Sequence, residues 1–102
     1  AKDYLKKIAK DNAEAHSEIA TTIVSSFASD PKAMKDAEDY AGQAAKLGES
    51  YEYYYTYAII LNQNGKKDQA LDAAKAALEM VKDTDRASSN LVMVLIRKLQ
   101  EG

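Results

Sequence analysis

Alanine recurs in this chain at a spacing that sharply limits how the chain can fold. Ala37, Ala41, Ala44, Ala45 and Leu47 are followed thirty-three positions later by Ala70, Ala74, Ala77, Leu78 and Met80. Residues three and four apart lie on one side of a helix, and a helix that buries alanine lets a second backbone approach closely. One helical hairpin, used twice, is the economical reading.

The rest of the chain fits that frame. From Tyr4, residues Leu5, Ile8, Ala9, His16, Ile19, Ala20, Ile23, Val24 and Phe27 draw one stripe down a long first helix. Thr21-Thr22-Ile23-Val24 is β-branched like a strand, but alternation stops on either side of it. Ser29-Asp30-Pro31 ends that helix: Ser or Asp caps the next one, and Pro31 suits a first helical position. Helix 2 runs to about Leu47, with Gly48 expected in the left-handed conformation. Ser50 is the expected cap of helix 3, which ends at Asn64-Gly65. Helix 4 places Ala70, Leu71, Ala74, Ala77, Leu78 and Val81 on one face. Asp83-Thr84-Asp85 then caps helix 5, whose expected core stripe is Leu91, Leu95 and Leu99 with Val92 and Ile96 beside it. Helix 1 aligns on helix 3 at an offset of thirty-eight, so the first hairpin has the longer loop, Ser26 to Asp30.

Composition excludes several classes. With 46% apolar and 29% charged residues, one Pro and four Gly, the chain is far from a disordered profile. Its net charge is −2, and each half carries nearly equal numbers of acids and bases, which leaves no basic face for nucleic acid. It has no Cys, hence no disulfide, thiolate or cysteine-bound zinc. Its longest apolar run, Leu91 to Ile96, falls far short of the ~20 residues that span a bilayer, so no membrane insertion is expected. The chain opens on Ala1 rather than Met, which suggests processing or a longer parent protein.

The second hairpin, Tyr51 to Met80, resembles a tetratricopeptide repeat (TPR). It has aromatic Tyr54, large Tyr57, small Ala58, large Leu61, Gly65 in the turn, then Ala70-Leu71, small Ala74 and Ala77-Leu78. It departs from that family at Ala74, where a bulky aromatic is common, and in lacking a Pro after Met80. The first hairpin matches only in its second helix and reads as a degenerate repeat. The resemblance implies an all-α, right-handed stack of two TPR-like helical hairpins plus a C-terminal capping helix, an α-solenoid within a single domain over residues 1–102. Residues 1–48 are the degenerate repeat, 50–83 the better-matched one, and 84–101 a helix that solvates the end of the stack.

A second resemblance rests on the order of long helix, Asp30-Pro31, Ala-rich helix, Thr56-Tyr57-Ala58, Gly65-Lys66-Lys67 and Ala70 to Ala77. It is to the helical region that follows the thioredoxin-like domain of exported proteins in some Gram-negative bacteria. That likeness implies a periplasmic location and a catalytic domain outside this chain.

Residues that could carry chemistry read as structural. His16 lies on an apolar stripe with no second His or Cys to share a metal, and is expected to be partly buried with one hydrogen bond. Asp36, Glu38, Asp39, Asp68 and Asp72, set among Lys35, Lys46, Lys67 and Lys75, read as solvated faces with i,i+4 pairing. Asn64-Gly65-Lys66-Lys67 lacks the further glycines and the hydroxyl of a phosphate loop. No catalytic, cofactor or metal site is expected, and the chain is not expected to be an enzyme.

On helix 3, Tyr54, Tyr57 and Leu61 share the core face, and Tyr51 and Tyr53 sit at a rim. The resemblance places Ser17, Thr21, Tyr55, Ile59 and Asn62 along a concave protein-binding groove. Repeats that clamp a C-terminal carboxylate use Lys, Arg and Asn there, so this groove suits an apolar peptide instead. The expected function is a non-catalytic protein–protein interaction or scaffolding module. Its partner is a protein or peptide, or an attached domain in cis, and the chain itself is a monomer or weak homodimer through an uncapped repeat face. The alternative is a helical appendage of an exported thioredoxin-like oxidoreductase.

Overall fold

Five helices follow one another: α1 (Lys2–Phe27), α2 (Pro31–Gly48), α3 (Tyr51–Gln63), α4 (Lys67–Val81) and α5 (Arg86–Glu101). The structure is a computed structural model describing residues 2–27, 29–48 and 50–101, with side-chain surroundings from residue 12 onward. Among the described residues there is no strand. The β-branched patch stays helical, and Thr21 Oγ1 donates to the Glu18 carbonyl at 3.0 Å, a local bond open to a helical threonine.

Three of the connections have a chemical cause in plain view. Asp30 Oδ1 accepts the Lys32 and Ala33 N–H groups at 3.0 and 3.4 Å, filling donors that the first turn of α2 leaves free. At the end of α3, Gly65 takes φ +80°. The Lys66 N–H donates to the Leu61 carbonyl at 2.9 Å and the Gly65 N–H to that of Asn62 at 3.1 Å, the paired bonds of a Schellman closure. Asp85 starts α5 by accepting the Ser88 N–H at 3.1 Å and the Ser88 hydroxyl at 2.7 Å. Those bonds hold its carboxyl below the ordinary value.

Consecutive helices pack on each other, and α1 also touches α3. The thirty-three-residue offset is visible in the burial. Ala37, Ala41 and Ala44 are enclosed, as are Ala70, Ala74 and Ala77, while Leu47 and Met80 are both exposed, at 39% and 38%. Leu61 and Ala58 join Ala70, Ala73 and Ala74 between α3 and α4. Ile60, from the other side of α3, joins Ala20, Met34, Ala37 and Ala41. Val92 of α5 closes the far end on Ala77 and Val81.

Several expectations need correction. Gly48 is not left-handed; it lies within α2, and Gly65 alone has positive φ among the described glycines. Its reason is space: a Cβ there would overlap the Tyr53 ring and come within 2.9 Å of Ala13 Cβ. Ser50 takes the cap position of α3 with extended backbone, but its side chain makes no capping bond. Ile19 and Phe27 fall outside the buried side of α1, at 43% and 53% exposure, which instead encloses Ala13 and Ala20. Leu5, Ile8 and Ala9 lie outside the residues whose side chains are described.

On α5, Leu91 is 47% exposed, and the buried line runs through Ser88, Ser89, Val92 and Leu99. Small serines near the start of α5 and Val92 against Ala77 turn the helix so that Leu91 faces out. The outer face of α5 mixes the exposed polar residues Asn90, Arg97, Lys98 and Gln100 with exposed Leu91 and with Val94, at 52%.

Candidate functional site

The expected groove residues come from α1 and α3, which meet where Ala20, Ile23 and Val24 share a cluster with Ile60; none of the five groove residues belongs to that cluster. Ser17 is half-buried and Thr21 exposed on α1; Tyr55 and Ile59 are half-buried and Asn62 is exposed on α3. Tyr55, Ile59 and Asn62 follow one another at helical spacing and so share a face. Tyr55 also packs with Tyr51 and Tyr54 on the Ala77, Val81 and Val92 cluster, so part of its ring serves the core. Tyr57 packs between the two hairpins, on both their clusters, and Leu61 is fully enclosed.

His16 is half-buried. Its Nδ1–H donates to the Asn12 carbonyl at 2.6 Å, and its ring lies 5.8 Å from that of Tyr40. Among the described residues, no three His, Asp or Glu side chains lie close enough to share a metal ion.

The most built polar feature is one that the sequence reading passed over. Glu38, expected on a solvated face, is a buried side chain of α2. Its Oε2 accepts Lys66 Nζ at 2.8 Å and its Oε1 accepts Asn64 Nδ2 at 3.1 Å, while Asn64 Nδ2 also donates to the Met34 carbonyl at 3.0 Å. These bonds span the α3–α4 turn and α2. The i,i+4 pairs expected of Asp36, Asp39, Asp68 and Asp72 do not form, because Glu38–Lys66 and the i,i+3 pair Glu79–Lys82 are the ion pairs among the described residues.

Burial, and then the Glu38 carboxylate, push the Tyr57 hydroxyl above its ordinary value. Burial likewise raises Tyr53, helped by Glu14 and Glu52. The Glu38 hydrogen bond raises Lys66. A cleft of 780 Å³ opens beside this node, floored by Met34 and edged by Lys35 and Gln63. Each Glu38 oxygen accepts one hydrogen bond, Oε1 from Asn64 and Oε2 from Lys66. The node joins the two hairpins through side-chain bonds between α2 and the α3–α4 turn.

A signal for it existed. Glu38 sits thirty-three positions before Leu71, at a register where the second hairpin turns a residue inward. Comparison with protein-family models, with curated proteins and with solved structures found no match to this chain. No helix is long and apolar enough to cross a membrane among the described residues.

Proposed function

We propose that this chain is a non-catalytic protein-interaction module of TPR-like build, whose contact surface is the shared face of α1 and α3. The observation that carries the reading is the half-buried pair Tyr55 and Ile59, which share a face of α3 with exposed Asn62; the repeat alignment is what adds Thr21 and Ser17 of α1. Half-buried aromatic and aliphatic side chains held by a packed scaffold make good binding anchors, because little side-chain freedom remains to be lost on contact. The surface carries neither the lysines nor the arginines that would grip a carboxylate. Its partner is therefore an apolar segment, from another protein or from a domain attached to this chain. Equal burial of Ala37 and Ala70, Ala41 and Ala74, and Ala44 and Ala77 supports the repeat build that would place such a surface on one side.

A photo-crosslinking residue tests this. Placed at Asn62, which is exposed, it should capture a discrete partner from a lysate of the source organism. Placed at Lys75, exposed on α4, it should not. Ile59→Ser should weaken the Asn62 crosslink while leaving the circular dichroism spectrum intact. Equal capture from both positions would sink the reading.

A further inference from the structure

Asparagine followed by glycine is the dipeptide in which the backbone most readily attacks a side chain, because glycine puts no Cβ in the way of its own nitrogen. Asn64-Gly65 is such a pair, whereas Asn12, Asn62 and Asn90 precede Ala, Gln and Leu. In that reaction the Gly65 nitrogen bonds to the Asn64 side-chain carbonyl carbon, the bond from that carbon to Nδ2 breaks, and the Gly65 amide proton leaves with Nδ2 as ammonia. Water then opens the succinimide ring at either carbonyl, which restores the N–H and leaves aspartate or isoaspartate at position 64.

The fold opposes each part of that step. At ψ 6° the Gly65 nitrogen eclipses the Asn64 backbone nitrogen, whereas ring closure requires it to eclipse Cβ. The Gly65 N–H is engaged with the Asn62 carbonyl at 3.1 Å. The leaving group is engaged as well: Nδ2 donates to the Met34 carbonyl at 3.0 Å and to Glu38 Oε1 at 3.1 Å, and both acceptors belong to α2. Ring closure therefore needs the α3–α4 turn to come away from α2, which is a local opening of the junction between the hairpins.

The same bonds decide what the product does. A carboxylate at position 64 has no hydrogen to donate, so the Met34 carbonyl and Glu38 Oε1 lose their donor, and a second negative charge faces the buried Glu38 carboxylate. Lys66 and Lys35 edge the same cleft and offset part of that charge, but Lys66 is already bonded to Oε2 and Lys35 is exposed. We propose that Asn64 is a site of spontaneous deamidation guarded by the Glu38 node: the closed junction protects the asparagine, and an opening long enough for ring closure installs a charge that hinders reclosing.

Peptide mass spectrometry of the chain held at mildly alkaline pH, where the amide proton is more easily lost, tests the protection. In guanidinium chloride Asn64 should deamidate ahead of Asn12, Asn62 and Asn90, and in the folded chain at least about tenfold more slowly than in the denatured one. Asn64→Asp, which installs the product, should lower the melting temperature. Asn62→Asp meets the same end of the α3 dipole but is exposed, and should lower it far less. Asn64→Asp combined with Glu38→Gln exchanges amide and carboxylate across the node and should recover part of the loss. A folded chain that deamidates at Asn64 as fast as the denatured one overturns the proposal, as does an Asn64→Asp chain that melts with the parent. So does a double variant no more stable than Asn64→Asp alone.

Discussion

The two hairpins bury the same stripe on their second helices and different ones on their first. α2 and α4 enclose matched alanines, whereas α3 is buried on two sides and α1 on one. α3 turns Ala58 and Leu61 toward α4 and Ile60 toward α1 and α2, while α1 encloses Ala13 and Ala20 and leaves Ile19 and Phe27 largely exposed. The second helix of a hairpin meets its own first helix wherever the hairpin stands. What the first helix buries depends on whether another hairpin lies behind it, and of the two first helices it is α3 that also packs on the second helix of a preceding hairpin.

The largest test of that contrast is truncation of the two enclosed side chains on opposite sides of α3. Ile60→Ala and Leu61→Ala should each cost about 2–5 kcal/mol, because each removes a filled volume that the surrounding alanines cannot collapse into. Urea melts should stay single and cooperative for both. If Ile60→Ala splits the melt into two transitions, the hairpins unfold separately, and α3 belongs energetically to the second hairpin alone.

Overpacking should act alike on the two matched helices. Ala41→Leu and Ala74→Leu insert methylenes where two backbones approach, and each should cost about 1–3 kcal/mol. Leu47→Gln and Met80→Gln, on the exposed pair, should stay within about 0.5 kcal/mol of the parent. An Ala41→Leu variant as stable as the parent beside a damaged Ala74→Leu variant would break the equivalence.

The elements that sequence made legible are those governed by local rules. Helix spans, the Asp30 and Asp85 caps, the Gly65 turn and the matched alanines each follow from spacing and capping chemistry within a few residues. What escaped depends on neighbours far along the chain. Glu38 looks like any surface glutamate until Lys66 and Asn64 arrive from the α3–α4 turn. Gly48 looks like a helix stop until the Tyr53 ring occupies the place of its Cβ. The rotation of α5 is set by the seat of Val92 on α4, so the periodicity of its apolar residues could not choose between Leu91 and Val92 as the inner one. Of the candidate surface, helical spacing alone groups Tyr55, Ile59 and Asn62; that Ser17 and Thr21 join them is an expectation of the repeat alignment.

The two hairpin turns offer a subtler contrast, since one is closed by a side chain and the other by backbone conformation. Asp30→Ala removes an acceptor from the start of α2 and should cost about 1 kcal/mol. At Gly65 a Cβ would meet nothing within 4 Å, so any penalty there is conformational. Gly65→Val should cost about 1–2 kcal/mol and Gly65→Asn much less, because asparagine tolerates the left-handed region. Equal losses for Val and Asn would mean that φ is not what this turn requires.

The smallest effect separates the two ion pairs, one joining the hairpins and one on the surface. Glu38 is buried where Lys66 reaches it, whereas Glu79 and Lys82 are both exposed. Lys66→Met leaves the Glu38 carboxylate with Asn64 and no countercharge, so it should lower the melting temperature near neutrality, and added salt should not erase the loss. Lys82→Met should be indistinguishable from the parent at high salt. The alkaline arm of stability sharpens the contrast. Lys66 is raised above 10.5 by the hydrogen bond to Glu38, and Tyr57 above 10.0 by burial and then by the Glu38 charge. A group raised in the folded state contributes fully below its unfolded value, and that contribution is lost as pH climbs through the folded one. Stability should therefore hold up to the ordinary tyrosine range and fall above it. Lys66→Met should fall less steeply over that interval, with the tyrosines supplying what slope remains. A Lys66→Met variant that matches the parent near neutrality and along the whole alkaline arm would show that the Glu38 node does not help to join the hairpins.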